Sequence, residues 1–191
     1  MNINFHNVIE AASTKPFGFT KFIPGPGTGG HCIPIDPIFI SWTAKKYNFK
    51  TNFIDLSANI NQEVTTWTIN KIKNFLRQIK KKKKILILGV AYKKDVNDLR
   101  ESASLKIFKK IDKIKNVNLK FYDTYIKSIR INKKIIKSIK MDYKKLKSFD
   151  CVIILTDHSN LNYNLIKKFS KKIIDTRGVY KSSSSDKILH I

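Results

Sequence analysis

The prolines and glycines of this 191-residue chain are concentrated in one short region. All five prolines and five of the seven glycines lie between residues 16 and 37. Because both residue types interrupt regular structure, the backbone there is predicted to be irregular, whereas the rest of the chain is free to form helices and strands. The fold must therefore accommodate one unusual loop, whose densest part is PGPGTGGHCIPIDP, residues 24–37.

Helices are predicted on both sides of this loop. A short helix is expected in HNVIEAAS, before the loop, and a second helix is expected to begin near Pro37 and to run through IFISWTAKKY. Between Phe53 and Ile79 apolar residues recur at helical spacing without glycine or proline, which predicts one long helix. The first part of the chain is therefore predicted to be helical.

The pattern changes after the lysine run Lys80–Lys84, where the apolar segment ILILGV is typical of a parallel strand covered on both faces. The remaining predicted elements are a helix in SASLKIFKKIDKI, a strand in NLKFYD, a basic helix around residues 127–138, a strand in CVIILT, a helix in NLIKKF and a strand in KKIIDT. This alternation predicts an α/β fold with a doubly wound parallel sheet. The serine run 182–185 is expected to form a flexible tail or a turn.

The formal net charge of +24 suggests nucleic-acid binding, because lysine and arginine neutralise phosphates. Only four of the 38 basic residues are arginine, however, and arginine is the side chain favoured for base reading and bidentate phosphate contacts. A specific nucleic-acid function is therefore disfavoured. No apolar run is long enough to span a bilayer and the first residues do not resemble a signal peptide, so we expect a cytoplasmic protein with no membrane partner and with free thiols.

The glycine loop has the composition of a binding site. Its glycines allow backbone N–H groups to approach a ligand, so the loop could cradle an anion or an oxyanion. Cys32 is expected just outside the amino terminus of the following helix, where partial positive charge favours a thiolate. Cys32 is therefore a candidate nucleophile. The alternative is a tight turn with a buried thiol and with Asp36 as a helix cap.

Two sequence blocks resemble a known family. PGPGTGGHCIPIDP is similar to the active-site signature of the UDP-glucose/GDP-mannose dehydrogenase family, and LGVAYKKDVNDLRES, residues 88–102, is similar to a signature of its UDP-binding domain. DTRG, residues 175–178, resembles a later motif of that domain. The resemblance implies a partial helical central domain in residues 1–79, followed by a Rossmann-like, parallel-sheet UDP-binding domain in residues 80–191.

The resemblance also implies a reaction. Family members oxidise carbon 6 of a nucleotide sugar to a carboxylate with NAD, through a thiohemiacetal and a thioester on a cysteine. The nearest branch acts on UDP-N-acetylhexosamines such as UDP-N-acetylglucosamine, in polysaccharide biosynthesis. Carried over to this chain, Cys32 would be the nucleophile and Asp36 the carboxylate that positions or activates water. The matched binding residues would be Phe22, Gly25, Gly29, Tyr92, Lys93 and Arg177 for the UDP-sugar, and Arg100 for the cofactor pyrophosphate.

Three of these assignments have a structural alternative. Tyr92 could be ordinary packing, Arg177 a solvated strand end, and Arg100 the ion-pair partner of Asp98 or Glu101.

Two other residues near these motifs are given no chemical role. His31 is expected to pack or to bond within the loop, because adjacent side chains such as His31 and Cys32 usually point apart. No second histidine and cysteine cluster lies at ligand spacing, which argues against a metal site. Cys151 begins an apolar strand, where a small buried hydrophobe is the ordinary explanation.

The family's amino-terminal NAD-binding domain has no counterpart in this sequence. Gly89, at the end of the first predicted strand, lacks the companion glycines of a dinucleotide fingerprint. The resemblance therefore implies a carboxy-terminal piece of a dehydrogenase that does not reduce NAD without its other half, as part of a split enzyme or as a truncated, inactive product. Its expected partners are a UDP-sugar and either a second copy, through the long helix, or a separate amino-terminal half. The alternative is a non-enzymatic UDP-sugar or nucleic-acid binding module.

Overall fold

The first part of the chain is helical in the computed structural model, which describes residues 3–79, 82–181 and 185–191. Its helices are α1 Phe5–Ala12, α2 Cys32–Lys46 and α3 Asn52–Arg77, so the short helix and the long helix are confirmed. The predicted start of α2 at Pro37 is wrong, because the helix begins at Cys32 and Pro37 lies inside it. An earlier start is possible because Pro34 falls in the first turn, where a backbone N–H has no helical acceptor. No helix within the described ranges is both long and apolar enough to cross a bilayer.

The second part of the chain is an α/β unit built on a parallel sheet. Its strands are β1 Lys83–Leu88, β2 Val117–Tyr122, β3 Ser128–Ile131, β4 Lys134–Lys137, β5 Cys151–Ile154, β6 Ile173–Asp175 and β7 Ile188–His190. Its helices are α4 Ala103–Asp112 and α5 Tyr163–Phe169, with a short 3-10 helix at Tyr143–Ser148. Five strands form one sheet in the order β2-β1-β5-β6-β7, and every neighbouring pair is parallel.

Both faces of this sheet are covered. Ile85 and Ile87 point to one face, where they share a core with residues of α3 and α4. Leu86 and Leu88 point to the other face and pack with the 3-10 helix and α5. The last four residues of β1 are fully buried, which is why this segment is apolar without alternation. The predicted α/β architecture is therefore confirmed.

The predicted basic helix around residues 127–138 is wrong. The segment forms an antiparallel hairpin of β3 and β4. Ile129 and Ile131 are buried while Ser128 and Arg130 are exposed, which is the period of a strand and not of a helix. Asn132 turns the chain with a φ of 54°, a conformation that asparagine tolerates in tight hairpin turns.

Two further predictions fall partly or wholly outside the described residues. Lys80 and Lys81, in the predicted domain boundary, are outside them, so the division between residues 79 and 80 stays a prediction. Residues 182–184 of the serine run are also outside them. The last serine, Ser185, accepts the Ile188 N–H at 2.8 Å and leads into strand β7, which the sequence analysis did not predict.

Candidate functional site

Helix α3 holds one side of the glycine loop through polar side chains. The Thr28 N–H donates to Asn61 Oδ1 at 2.7 Å, and Asn61 Nδ2 donates back to the Thr28 carbonyl at 3.2 Å. One turn further along the helix, the Thr65 hydroxyl donates to the Pro26 carbonyl at 2.9 Å. The loop is therefore fixed to the long helix by side chains that satisfy its irregular backbone.

The other side of the loop packs on the segment that follows β1. The Gly30 N–H donates to the Arg100 carbonyl at 3.0 Å. A side chain at Gly29 would lie 2.8 Å from the Glu101 carbonyl oxygen and 2.9 Å from Tyr92 Cβ, so only glycine permits this approach. The structure therefore brings Gly29 and Tyr92 together, and the contact joins the two halves of the chain.

Arg177 follows β6 and lies under the glycine loop. Its Nε donates to the Leu155 carbonyl at 2.8 Å, and it lies 3.7 Å from Asp157 Oδ1. A Cβ at Gly25 would collide with the Arg177 guanidinium. The side chain is only 17% exposed, so the alternative of a solvated strand end is wrong. Burial lowers the pKa of Arg177, and the negative charge of Asp157 opposes this shift only in part.

Cys32 is the first residue of α2 and its thiol is exposed. The sequence analysis expected Cys32 just outside the helix, but the residue belongs to the first turn of α2, at the positive end of the helix dipole. The alternative of a buried thiol is wrong, because Cys32 is exposed. The alternative of Asp36 as the helix cap is also wrong, because His31 occupies the cap position and makes no side-chain capping bond. Asp36 is exposed four residues later, on the same face of the helix as Cys32.

The His31 ring lies closer to the thiol than expected for adjacent residues. Its Nδ1 is 4.0 Å from Cys32 Sγ, a distance at the outer limit of a sulfur hydrogen bond. Both side chains are exposed. Phe22, ten residues before Cys32, is 76% exposed. None of the described contacts tests the predicted role of Phe22 in binding.

Arg100 forms an ion pair on the surface beside the thiol. Its Nη2 and Nε lie 2.7 and 2.9 Å from Asp98 Oδ2. The side-chain hydrogen bond from Arg100 lowers the pKa of Asp98 and raises that of Arg100. Of the two ion-pair partners considered for Arg100, the structure therefore contains Asp98. A contact between Arg100 and the cofactor pyrophosphate stays a prediction.

Tyr92 and Lys93 lie just beyond the carboxyl end of β1. The Tyr92 N–H donates to the Asp98 carbonyl at 3.0 Å, which closes the intervening segment into a compact turn, and Lys93 is exposed. Arg177 lies beyond the carboxyl end of β6, at the same edge of the sheet. This edge is where open α/β sheets bind ligands.

The sequence analysis missed three polar side chains buried at this edge. Asp123, Thr156 and His158 are each no more than 1% exposed. Asp123 directly follows β2, and the other two follow β5. Polar residues placed immediately after apolar strands were the signal that could have identified them. Within the described residues, no group of three or more histidine, cysteine, aspartate or glutamate side chains could hold a metal ion.

The described residues do not fit a dinucleotide in the manner of a Rossmann fingerprint. Fourteen residues, 89–102, separate β1 from α4, whereas the fingerprint requires a tight glycine turn that leads straight into the helix. The first turn of α4 is also capped internally, because the Ser102 hydroxyl accepts the Leu105 N–H at 3.0 Å. We therefore assign no step of hydride transfer to this chain.

Comparisons with known proteins agree with this architecture. Residues 1–63 match the central domain, and residues 86–182 the UDP binding domain, of the UDP-glucose/GDP-mannose dehydrogenase family. The UDP-N-acetyl-D-mannosamine dehydrogenase of Methanococcus vannielii is 32% identical over 176 residues, which cover 92% of this chain and 37% of that protein. The NDP-N-acetyl-D-galactosaminuronic acid dehydrogenase of Ralstonia solanacearum is 25% identical, over 94% of this chain and 41% of that protein.

The fold is similar to a solved structure of the same kind. The UDP-D-ManNAc dehydrogenase from Pyrococcus horikoshii superposes with a TM-score of 0.78 at 27% identity, over 99% of this chain and 44% of that chain. This chain therefore spans less than half the length of the relatives it matches.

Proposed function

Because the chain belongs to the UDP-glucose/GDP-mannose dehydrogenase family, we propose that it is the carboxy-terminal part of a nucleotide-sugar 6-dehydrogenase. In this proposal it supplies the UDP-binding domain and the reactive thiol of an enzyme that converts a UDP-N-acetylhexosamine to the uronic acid for polysaccharide biosynthesis. One observation carries the proposal: the loop that bears Cys32 is seated on the sheet edge that holds Tyr92, Lys93 and Arg177.

The sheet edge offers cations where a diphosphate would bind. Arg177 is a guanidinium with little solvent around it, and its carboxylate partner among the described residues is Asp157, at 3.7 Å. An anion at this point would replace lost hydration with charge-assisted hydrogen bonds. Lys93 adds an exposed positive charge, and Tyr92 an aromatic surface, on the adjacent segment. Gly25 allows the loop to approach the guanidinium closely, and in this proposal the diphosphate binds beside that contact.

The proposed chemistry of this chain is addition to an aldehyde and hydrolysis of a thioester. The Cys32 thiolate would add to the carbon 6 aldehyde: the C–S bond forms as the C=O π bond breaks, and the carbonyl oxygen takes a proton from water to give a thiohemiacetal. After oxidation to the thioester, water would add to the acyl carbon, and the C–S bond would break to release the carboxylate and the thiol. Asp36, one turn along α2, would position that water and take its proton. We propose that NAD binds mainly to an amino-terminal domain outside this chain, with Arg100 reaching its pyrophosphate.

We propose that the substrate sugar is an N-acetylhexosamine, without choosing one member of that class. The relatives in the comparisons are named for UDP-N-acetyl-D-mannosamine and for NDP-N-acetyl-D-galactosaminuronic acid, which share an N-acetylated hexose. The sequence analysis favoured UDP-N-acetylglucosamine, and this remains a prediction. It differs from the mannosamine sugar in its configuration at carbon 2, so parallel assays with the two epimers would decide between them.

The exposed apolar side chains of α2 and α3 support a protein partner. They include Phe39, Trp42, Phe53, Leu56, Ile60 and Trp67, with exposed fractions from 49% to 83%. Such a concentration of apolar surface is unusual for an isolated chain. We propose that it is covered by a second copy packed along α3, or by the amino-terminal half of the enzyme.

The first test is a titration of the chain with UDP-N-acetylglucosamine, with UDP-N-acetylmannosamine and with single-stranded RNA at several salt concentrations. We expect saturable binding of a UDP-sugar that changes little with salt, because buried groups and backbone donors contribute to it. A non-enzymatic nucleic-acid module, for which the net charge of +24 is the supporting observation, would instead bind RNA with a steep dependence on salt. RNA binding of that kind without UDP-sugar affinity would contradict the proposal.

A further inference from the structure

A buried histidine connects the two ends of the segment that carries Tyr92 and Lys93. His158 is fully buried, four residues after the end of β5. Its Nδ1 accepts the Asp95 N–H at 3.0 Å, and its Nε2 lies 3.1 Å from Asp123 Oδ2. Because Nδ1 accepts a hydrogen bond, we assign the ring proton to Nε2, which donates it to Asp123.

Asp123 holds the beginning of the same segment. Its Oδ2 also accepts the N–H groups of Val90 and Ala91, at 2.7 and 3.1 Å, where the chain leaves β1. Its Oδ1 accepts the N–H groups of Tyr125 and Ile126. Burial alone would raise the pKa of Asp123, but the hydrogen bonds from His158 and from the backbone outweigh it and leave the pKa lowered. Asp123 is therefore a fixed anion under the segment.

Asp95, at the end of the segment, has a backbone conformation that must be stabilised by its neighbours. Its φ is +59°, a left-handed conformation that costs about 1 kcal/mol in a residue other than glycine. The Asp95 carboxylate accepts the Ser159 N–H at 2.8 Å and the Ser159 hydroxyl at 2.6 Å, while its N–H goes to His158. Residues 90–95 are thus anchored at both ends, and the two proposed UDP-binding side chains lie between the anchors.

We propose that His158 is a positioning residue, which fixes residues 90–95 between Asp123 and Asp95 so that Tyr92 and Lys93 are held in place for the nucleotide. This inference rests on the proposed function, because it assigns the segment to UDP binding. His158 itself is buried and is not required to touch the ligand. Its role is to hold the Asp95 N–H at the end of the segment, while Asp123 holds the beginning directly through the Val90 and Ala91 N–H groups.

Two substitutions of His158 each remove one of the two hydrogen bonds of its ring and keep the other. In His158→Asn the amide oxygen takes the position of Nδ1, so the acceptor for the Asp95 N–H is kept. In His158→Gln the amide nitrogen takes the position of Nε2, so the donor to Asp123 is kept and the Asp95 anchor is lost. Tyr125→Leu is the matched control, because its ring packs on His158 at 5.2 Å and its side chain makes none of these bonds.

The test measures UDP affinity by calorimetry and the exchange rate of the Asp95 amide by NMR, in the full 191-residue chain. We expect His158→Gln to weaken UDP binding about tenfold, the effect of one buried hydrogen bond. We expect His158→Asn and Tyr125→Leu to stay within about threefold of the original chain. The Asp95 amide should exchange faster only in His158→Gln.

Equal UDP affinity in all four proteins, or equal losses in both His158 variants, would overturn the inference. Should His158→Gln fail to fold, Ser159→Ala removes one bond to the Asp95 carboxylate at the surface and is expected to weaken UDP binding about threefold. Unchanged binding in that variant would count against the inference. If the original chain binds no UDP, the proposed function fails, and the exchange rates alone show whether His158 anchors Asp95.

Discussion

Replacing Arg177 by alanine is expected to weaken UDP binding by about 30-fold, or roughly 2 kcal/mol. The guanidinium is 17% exposed, and its one described hydrogen bond goes to the Leu155 carbonyl. It is therefore a cation that has lost hydration without full compensation, and a diphosphate would supply the missing partners. Calorimetric titration of the chain with UDP measures the effect.

Two further arginine variants make this prediction specific. Arg177→Lys keeps the positive charge but loses the planar fork, so we expect an intermediate loss of about tenfold. Arg100→Ala removes an arginine of the same region that is paired with Asp98 on the surface, and UDP affinity should stay within about twofold. Thermal unfolding must show that each variant is folded. Equal affinities in Arg177→Ala and Arg100→Ala would contradict the assignment of Arg177.

Replacing Gly89 by alanine is expected to lower the free energy of unfolding by about 3 kcal/mol, since left-handed strain and overpacking act together. Gly89 has a φ of +80°, and an added Cβ would fall on the backbone of Thr156. Thr156 cannot move aside, because it is fully buried and its hydroxyl donates to the Ala91 carbonyl at 2.7 Å. Urea unfolding followed by circular dichroism provides the measurement.

Gly18→Ala is the matched control for this stability loss. Gly18 has a φ of +67°, but the nearest atom to an added Cβ is Lys15 Nζ at 3.9 Å. Only the backbone strain is then present, and we expect a loss of about 1 kcal/mol. If the two alanine variants lost the same stability, the close approach of β1 to β5 at Gly89 would not be what requires glycine there.

The continuous apolar strands made the α/β architecture predictable from the sequence. A run such as ILIL has no polar face, and its short length and β-branched residues favour a strand buried on both sides, so the helices between such runs must cover the sheet. The segment 128–137 could not be assigned in the same way. Its isoleucines are separated by Arg130 and by the run Asn132–Lys134, at spacings that fit either period, and only packing of Ile129 and Ile131 on the core selects the hairpin.

The candidate site was predictable only where a motif marked it. The glycine loop predicted Cys32 near a helix terminus, and the structure has an exposed Cys32 as the first residue of α2. The cluster of Asp95, Asp123 and His158 carried no such mark, because its members come from three separate connections after strands. Their meeting depends on the strand order β2-β1-β5, which no local sequence pattern encodes.

The most direct test of the account is the rate at which an alkylating reagent modifies Cys32 in the presence of different ligands. Cys151 is an internal control, because burial raises its pKa to about 12 and removes it from the reagent. A saturating UDP-N-acetylhexosamine should slow modification of Cys32 at least about fivefold by placing its sugar over the thiol, whereas UDP alone should change the rate by less than about twofold. Equal rates with the UDP-sugar, with UDP and without ligand, at concentrations where binding is complete, would contradict the claim that this thiol faces a nucleotide-linked sugar.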